Sequence, residues 1–289
     1  MSEDEIQRAF DRVASSGRAA SARREIAASR KEWVERKRAI RQFLGRTLGL
    51  DPMPPKGPLS ARAHGVADRR DFRIERVSFE PRPECLVTAL VYEPKNATLP
   101  APCVLIFPDY ASPAGKSAPD MQALAGGLCR LGLIAMVVDP FFAGERKAAT
   151  LEASAFGLLP AGLCWAETGV WEGIRALDYA SALKHVNPSA IVLLGVGGGT
   201  RDALLVSALD GREKLCIAVN GLAPNSALLR QLAAAPSASR RMWLESPLCV
   251  PGIAAEAEMA EIITSLSRPV LVVNSPEATG FSRQEAAEL

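Results

Sequence analysis

Ile191-Val192-Leu193-Leu194-Gly195-Val196-Gly197-Gly198-Gly199-Thr200 reads as a buried strand running into a glycine turn, with a helix behind it. The continuous apolar run Ile191 to Leu194 suits a strand covered on both faces. Ala203, Leu204, Leu205 and Ala208 then recur at helical spacing. Glycine lets the chain turn sharply between the two elements.

The same alternation continues on both sides of this stretch. Cys103 to Phe107 predicts a strand, Met121 to Leu131 a helix closed by Gly132, and Ile134 to Val138 a strand ending at Asp139-Pro140. Trp165 to Leu183 predicts a helix, Ile191 to Leu194 the strand before the turn, and Arg201 to Leu209 the helix after it. Leu215 to Val219 and Val270 to Val273 predict further strands, with a helix from Met259 to Leu266 between them. Strand–helix alternation of this kind implies an α/β fold with a mainly parallel sheet and helices on both faces. Ligands of such sheets sit at the carboxyl ends of the strands.

Upstream, Phe72 to Phe79 and Leu86 to Tyr92 read as a β-hairpin turned at Pro81-Arg82-Pro83-Glu84. Asp51 to Pro58 holds four prolines and is a connector. Residues 3–48 read as one or two helices, with Ile26, Trp33, Ile40, Phe43 and Leu44 forming an apolar stripe that ends at a Gly49 cap. Three segments follow: a basic helical arm at 1–50, a proline-rich connector and hairpin packing on the core at 51–102, and the α/β core at 103–289.

The chain of 289 residues is 48% hydrophobic and 23% charged, enough to bury a substantial core. Its net charge of +2 gives no case for nucleic acid. The charge is uneven, because residues 1–50 hold twelve Lys or Arg against seven Asp or Glu. Such an arm either touches a polyanion or solvates its own outer face. No apolar run reaches membrane-spanning length, and the acidic start Met1-Ser2-Glu3-Asp4-Glu5 lacks a signal-peptide core. Six scattered cysteines without a C-x-x-C pair predict buried, reduced thiols and a cytoplasmic setting. No cluster of His, Cys or acidic residues has metal-ligand spacing, so neither a metal nor another cofactor is expected.

Several motifs together resemble the α/β-hydrolase fold, within it the acetyl-xylan-esterase and dienelactone-hydrolase-like group. They are Leu48-Gly49-Leu50 before the proline-rich connector, the hairpin, the loop Asp139-Pro140-Phe141-Phe142-Ala143-Gly144-Glu145-Arg146, the helix Trp171 to Tyr179, the glycine turn, Pro251-Gly252 with Glu258-Met259, and Arg268-Pro269. The resemblance runs from about Trp33 to the C-terminus. It implies that the glycine turn is a G-x-S-x-G nucleophile elbow, in register Gly195-Val196-Gly197-Gly198-Gly199. Gly197 then occupies the place of the attacking serine. The acid position falls on Ala278, with Glu277 one residue off, and the sequence ends at Leu289 before the helix and strand that would lead to the histidine. After Cys103–Phe107 the group has His-Gly, where this chain has Pro108-Asp109-Tyr110. A carboxylate there opposes a developing oxyanion, or else caps a loop or helix. Gly115-Lys116 matches the group's loop.

Two histidines are present, His64 in the N-terminal connector and His185 at the far end of the strand leading to the elbow. Neither is placed for catalysis. The glycine run also resembles a dinucleotide fingerprint, but Thr200 stands at the third glycine and Asn220 replaces the acid on the next strand. Ser112 to Ser117 ends like a phosphate loop but begins with Tyr110 where glycine is required. Thr200 reads as a cap of the helix it opens. Catalytic residues are therefore expected to be absent. Asp109, Tyr110, Val196, Gly197, Gly198 and Glu277 form the candidate ligand cleft. The sequence predicts a non-catalytic binding or assembly subunit; the alternative is an ester hydrolase with an unfamiliar nucleophile such as Glu277, Asp109 or Thr200, or with residues from a partner chain. An open sheet edge at Val270–Val273 predicts a homo-oligomer or protein partner there, and a small-molecule ligand remains compatible.

Overall fold

A computed structural model describes residues 29–110, 112–141, 143–146, 164–225 and 250–275, with positions 5, 8, 12 and 15. Its strands are β1 (Arg62–Asp68), β2 (Phe72–Arg82), β3 (Cys85–Pro94), β4 (Ala101–Phe107), β5 (Ile134–Val138), β6 (Val186–Val196), β7 (Leu215–Val219) and β8 (Val270–Val273). They form one sheet in the order β1-β2-β3-β5-β4-β6-β7-β8. From β5 to β8 all neighbours are parallel. The hairpin β2–β3 joins this core antiparallel through β5. The helices are α1 (Arg30–Thr47), α2 (Pro119–Arg130), α3 (Trp165–Ala182), α4 (Gly199–Leu209), α5 (Ile253–Glu256) and α6 (Met259–Ser265). The expected mainly parallel α/β sheet is thus present, and β6 lies inside it between β4 and β7.

Alternation along the strands makes two cores. Cys103, Leu105 and Phe107 of β4 face one side, where α1, α3, α4 and α6 pack around Leu44, Trp171, Leu205 and Ile262. Val104 and Ile106 face the other side, against Met121, Ala125 and Cys129 of α2 and its approach. Both faces are apolar because both are covered, which is why the strands read as unbroken apolar runs.

The sequence misses β1. Its seven residues are almost all exposed and show no period-two apolar pattern, so only the hydrogen-bonded pairing to β2 reveals it. His64 therefore stands on an edge strand and not in a connector. β6 also begins earlier than Ile191, at Val186, because Ala101 of β4 pairs there.

The arm α1 is held by its own charge. Arg36 bonds Glu261 at 2.8 Å, Lys37 donates to the Leu266 carbonyl at 3.2 Å, and Arg41 donates to the Leu209 carbonyl at 2.6 Å. The last two cations satisfy carbonyls at the ends of α6 and α4, where the helix dipole is negative. Part of the basic excess thus docks the arm, a use that neither a polyanion nor solvation of the outer face accounts for. Ile40 and Leu44 are buried and Trp33 and Phe43 partly so, while Ile26 lies outside the described residues. Gly49 closes α1 at φ +64°, as expected of its cap. Four described cysteines are buried thiols outside any disulfide, and Cys85, at the start of β3, is exposed, against the expectation of burial. No helix among the described residues is long and apolar enough to cross a membrane.

Candidate functional site

β4 and β6 are neighbours in register, with Phe107 opposite Gly195. Their carboxyl ends therefore deliver Pro108-Asp109-Tyr110 and Val196-Gly197-Gly198 to one place. Gly197 turns the chain at φ +54°, a left-handed conformation that glycine adopts without a side-chain clash. Thr200 N–H then bonds the Gly197 carbonyl at 3.1 Å and opens α4. This is the strand–turn–helix geometry of a nucleophile elbow.

Asp109 occupies the space above that turn. Its Oδ1 accepts the Gly198 N–H at 3.0 Å. A Cβ built on Gly197 would overlap the Asp109 carboxylate and stand 2.9 Å from the Asp109 Cβ. The loop after β4 thus places a carboxylate where a side chain at 197 would begin. It also takes up one of the free N–H groups at the start of α4, a favourable position for negative charge. Thr200 does not cap α4. Its buried hydroxyl donates to the carbonyls of Asn220 at 2.9 Å and Val219 at 3.3 Å, tying the turn to the end of β7.

Tyr110 lies against the same turn, where a Cβ built on Gly198 would stand 2.7 Å from its ring, and reaches on to α4. Its hydroxyl donates to Asp202 Oδ2 on the first turn of α4. The second oxygen, Asp202 Oδ1, is buried and has no hydrogen-bond partner among the described residues. Burial pushes the Asp202 carboxyl up to about 7; the Tyr110 bond pulls it down, the Glu172 charge adds to the rise and Arg201 opposes it. Burial first, and the Asp202 charge next, hold the Tyr110 hydroxyl well above its ordinary range. Beside this pair lies a cavity with room of about 20 Å³, lined by Val87, Phe107, Val138, Phe141, Glu172 and Asp202 among others. Gly169 of α3 leaves the space, since a Cβ there would stand 2.9 Å from both Asp202 oxygens and from the Tyr110 hydroxyl.

The motif residues of the neighbouring loops build the floor. Asp139, at the end of β5, accepts from Lys116 N at 2.8 Å and from the Thr88 hydroxyl at 2.7 Å, and forms an ion pair with the Lys116 ammonium. Both partners are sealed, with side-chain exposures of 2% for Lys116 and 0% for Asp139. Arg146 grips Glu172 of α3 with two bonds of 2.7 and 2.6 Å, a fork that fixes the loop after β5 to the helix. Trp171 Nε1 donates to the Pro81 carbonyl at 3.1 Å and so ties α3 to β2.

A family comparison agrees with this architecture. A model of the Abhydrolase family matches residues 22–221. The chain belongs to the Abhydrolase family. It is similar to the candidate hydrolase YtaP of Bacillus subtilis (strain 168), 24% identical over 187 residues that make up 61% of this chain and 62% of YtaP. The chain thus spans less than two thirds of that relative's length. Its fold is similar to that of a candidate acetyl xylan esterase from Bacteroides fragilis NCTC 9343, with a TM-score of 0.70 and 21% identity, covering 85% of this chain and 69% of the other. It is also similar to that of an acetyl xylan esterase from Paenibacillus sp. R4, with a TM-score of 0.57 and 15% identity over 86% and 91% of the two chains.

Of the residues marked in the sequence, Asp109, Gly197 and Gly198 meet directly, and Val196 leads into them at the end of β6, half-buried. Tyr110 alone among them lines the cavity. Glu277 and Ala278 lie outside the described residues. Asp202, Glu172, Thr88 and Asp139 were not legible as a cluster, because they come from four elements. The one sequence signal is the spacing Gly169 and Gly173 on α3, which opens that helix toward α4 and β4. His185 precedes β6 at the end away from the elbow, its carbonyl bonded to Ala101 N at the start of β4, six strand steps or roughly 20 Å before Phe107; its Nε2 faces Glu93 at 3.5 Å. His64 bonds Ser78 at 2.7 Å on β1, five strand spacings from β6, on the order of 24 Å. Among the described residues no group of His, Cys, Asp and Glu is arranged to hold a metal ion.

Proposed function

We propose that this member of the Abhydrolase family keeps the hydrolase scaffold and serves as a binding or assembly subunit without serine-hydrolase chemistry. The observation that carries the reading is the Asp109 carboxylate over Gly197. A serine hydrolase needs a hydroxyl on the residue at 197 and a free N–H on the next residue to stabilise the oxyanion. Here Gly197 has no side chain, and the Gly198 N–H is bonded to a carboxylate. An oxyanion developing beside Asp109 would be repelled, and neither histidine is within reach to take a proton. Thr200 is a poor substitute nucleophile, because its hydroxyl is buried and already donates to two carbonyls.

Assembly is supported by the sheet edge. β8 pairs only with β7 among the described residues, and its Leu271 and Val273 are 50% and 48% exposed. An edge strand with exposed apolar side chains is a template for a second chain.

A second reading draws on the same carboxylate. Asp109 stands where the nucleophile would stand, so an ester hydrolase that attacks with Asp109 is the alternative. A panel of activated acetate esters, p-nitrophenyl acetate first, separates the two. The expected result is no turnover above background by the unaltered protein. Turnover that disappears in Asp109→Asn would overturn the binding reading and establish the alternative.

A further inference from the structure

We propose that the Tyr110–Asp202 contact is a proton-operated latch, closed when Asp202 carries a proton and released when that proton passes to solvent. The latch joins the loop after β4 to the first turn of α4, and so sets how firmly Asp109 sits on the elbow one residue away. It works the same way whatever the elbow binds.

The geometry supplies each part. Asp202 is 5% exposed and lines the cavity; one of its oxygens accepts from Tyr110, and the other is buried with no hydrogen-bond partner among the described residues. A cavity of about 20 Å³ admits roughly one water molecule. Its described lining is apolar at Phe107, Val87, Val138 and Phe141, and its other carboxylates, Asp139 and Glu172, can accept a hydrogen bond but cannot donate one to an Asp202 anion. A protonated Asp202 suits this enclosure, and a charged one does not.

The surrounding charges do not rescue the anion. From α3, Glu172 presents a second carboxylate to the same cavity, already matched by the Arg146 fork. Glu167, one turn earlier on α3, pairs with Arg82 of β2. From the end of β5, Asp139 is matched by Lys116. From the loop after β4, Asp109 adds a further negative group, turned to Gly198. On α4 itself, Arg201 donates to Asn225 Oδ1 at 3.0 Å. Among the described residues no ion pair reaches Asp202. The tyrosine bond favours the anion, burial and Glu172 oppose it, and the opposition wins, leaving the carboxyl near 7. Opening the loop lets water reach Asp202 and restores an ordinary carboxylate.

The sign follows from proton linkage. The closed form binds a proton more tightly than the open form, so its advantage is complete below the ordinary carboxylate range and is lost as pH rises through about 7. Opening should increase by about 50- to 100-fold between pH 5 and 8 and level off above neutrality.

The test is amide hydrogen exchange on the full chain at Tyr110 and Gly198, corrected for the intrinsic pH dependence of exchange. Protection in the unaltered protein is expected to fall by tens of fold from pH 5 to 8. In Asp202→Asn, which cannot ionise, it is expected to stay level. Equal pH profiles in the two proteins would overturn the latch. A second measurement needs no folded Asn variant: a ¹³C titration of the Asp202 carboxyl. A midpoint near neutrality, moved upward in Tyr110→Phe, supports the latch, and a midpoint near 4 in the unaltered protein overturns it.

Discussion

Gly197→Ser restores the missing hydroxyl, and the structure says what it would meet. The backbone at 197 lies at φ +54°, where an L-residue costs roughly 1–2 kcal/mol more than glycine. The new Cβ would overlap the Asp109 carboxylate, so Asp109 must leave the turn. Its bond to the Gly198 N–H goes with it, a charge-assisted cap worth about 1–2 kcal/mol. The total loss is about 2–4 kcal/mol, larger than backbone strain alone would give. A double-mutant cycle resolves the two contributions. Asp109→Ala alone should cost about 1–2 kcal/mol, and Gly197→Ser added to it only the strain, leaving a coupling of about 1–2 kcal/mol between the two sites. Urea melts of the four proteins measure it. Additivity within about 0.5 kcal/mol would refute the claim that Asp109 fills the nucleophile's place. The same variants, assayed on p-nitrophenyl acetate, are expected to show no turnover above background, because no histidine lies near the elbow. Clear turnover by Gly197→Ser would reveal a proton acceptor and remove the non-catalytic reading.

Lys116→Met should destabilise by about 3–5 kcal/mol by leaving Asp139 charged and sealed, and Lys116→Met with Asp139→Leu should recover much of that loss in a urea melt. Leu44→Ala should cost about 2–5 kcal/mol, while Trp33→Ala, on the half-buried start of α1, should cost under half as much; a larger loss at Trp33 would mean that the arm packs differently. Gly169→Ala should force Tyr110 from Asp202, raise amide exchange at Tyr110 already at pH 5, and lower the thermal midpoint. If β8 joins a second copy, sedimentation should show a dimer that Leu271→Arg with Val273→Arg converts to monomer; a monomer before substitution would count against assembly along this edge.

The apolar runs and the glycine turn determined the architecture on their own. Ile134–Val138, Leu215–Val219 and Val270–Val273 are strands at the predicted bounds, because each is written in apolar residues along its whole length, although only Ile134–Val138 is buried on both faces and Val270–Val273 leaves one face open. The elbow was legible for the same local reason: a strand, a left-handed glycine and a helix are adjacent in sequence. β1 was not, since an exposed edge strand is held by backbone pairing that leaves no side-chain pattern. Nor was the use of Arg36, Lys37 and Arg41, whose partners lie more than a hundred residues away. Sequence could mark Asp109 as misplaced for an oxyanion site, yet only the register of β4 against β6 sets its carboxylate over Gly197. Asp202 is a plain helix residue until Tyr110, Glu172 and the space beside Gly169 surround it. Local conformation depends on neighbours in the chain, and sequence states it. The charge a buried group can bear depends on what several distant segments put around it, and only the folded arrangement decides that.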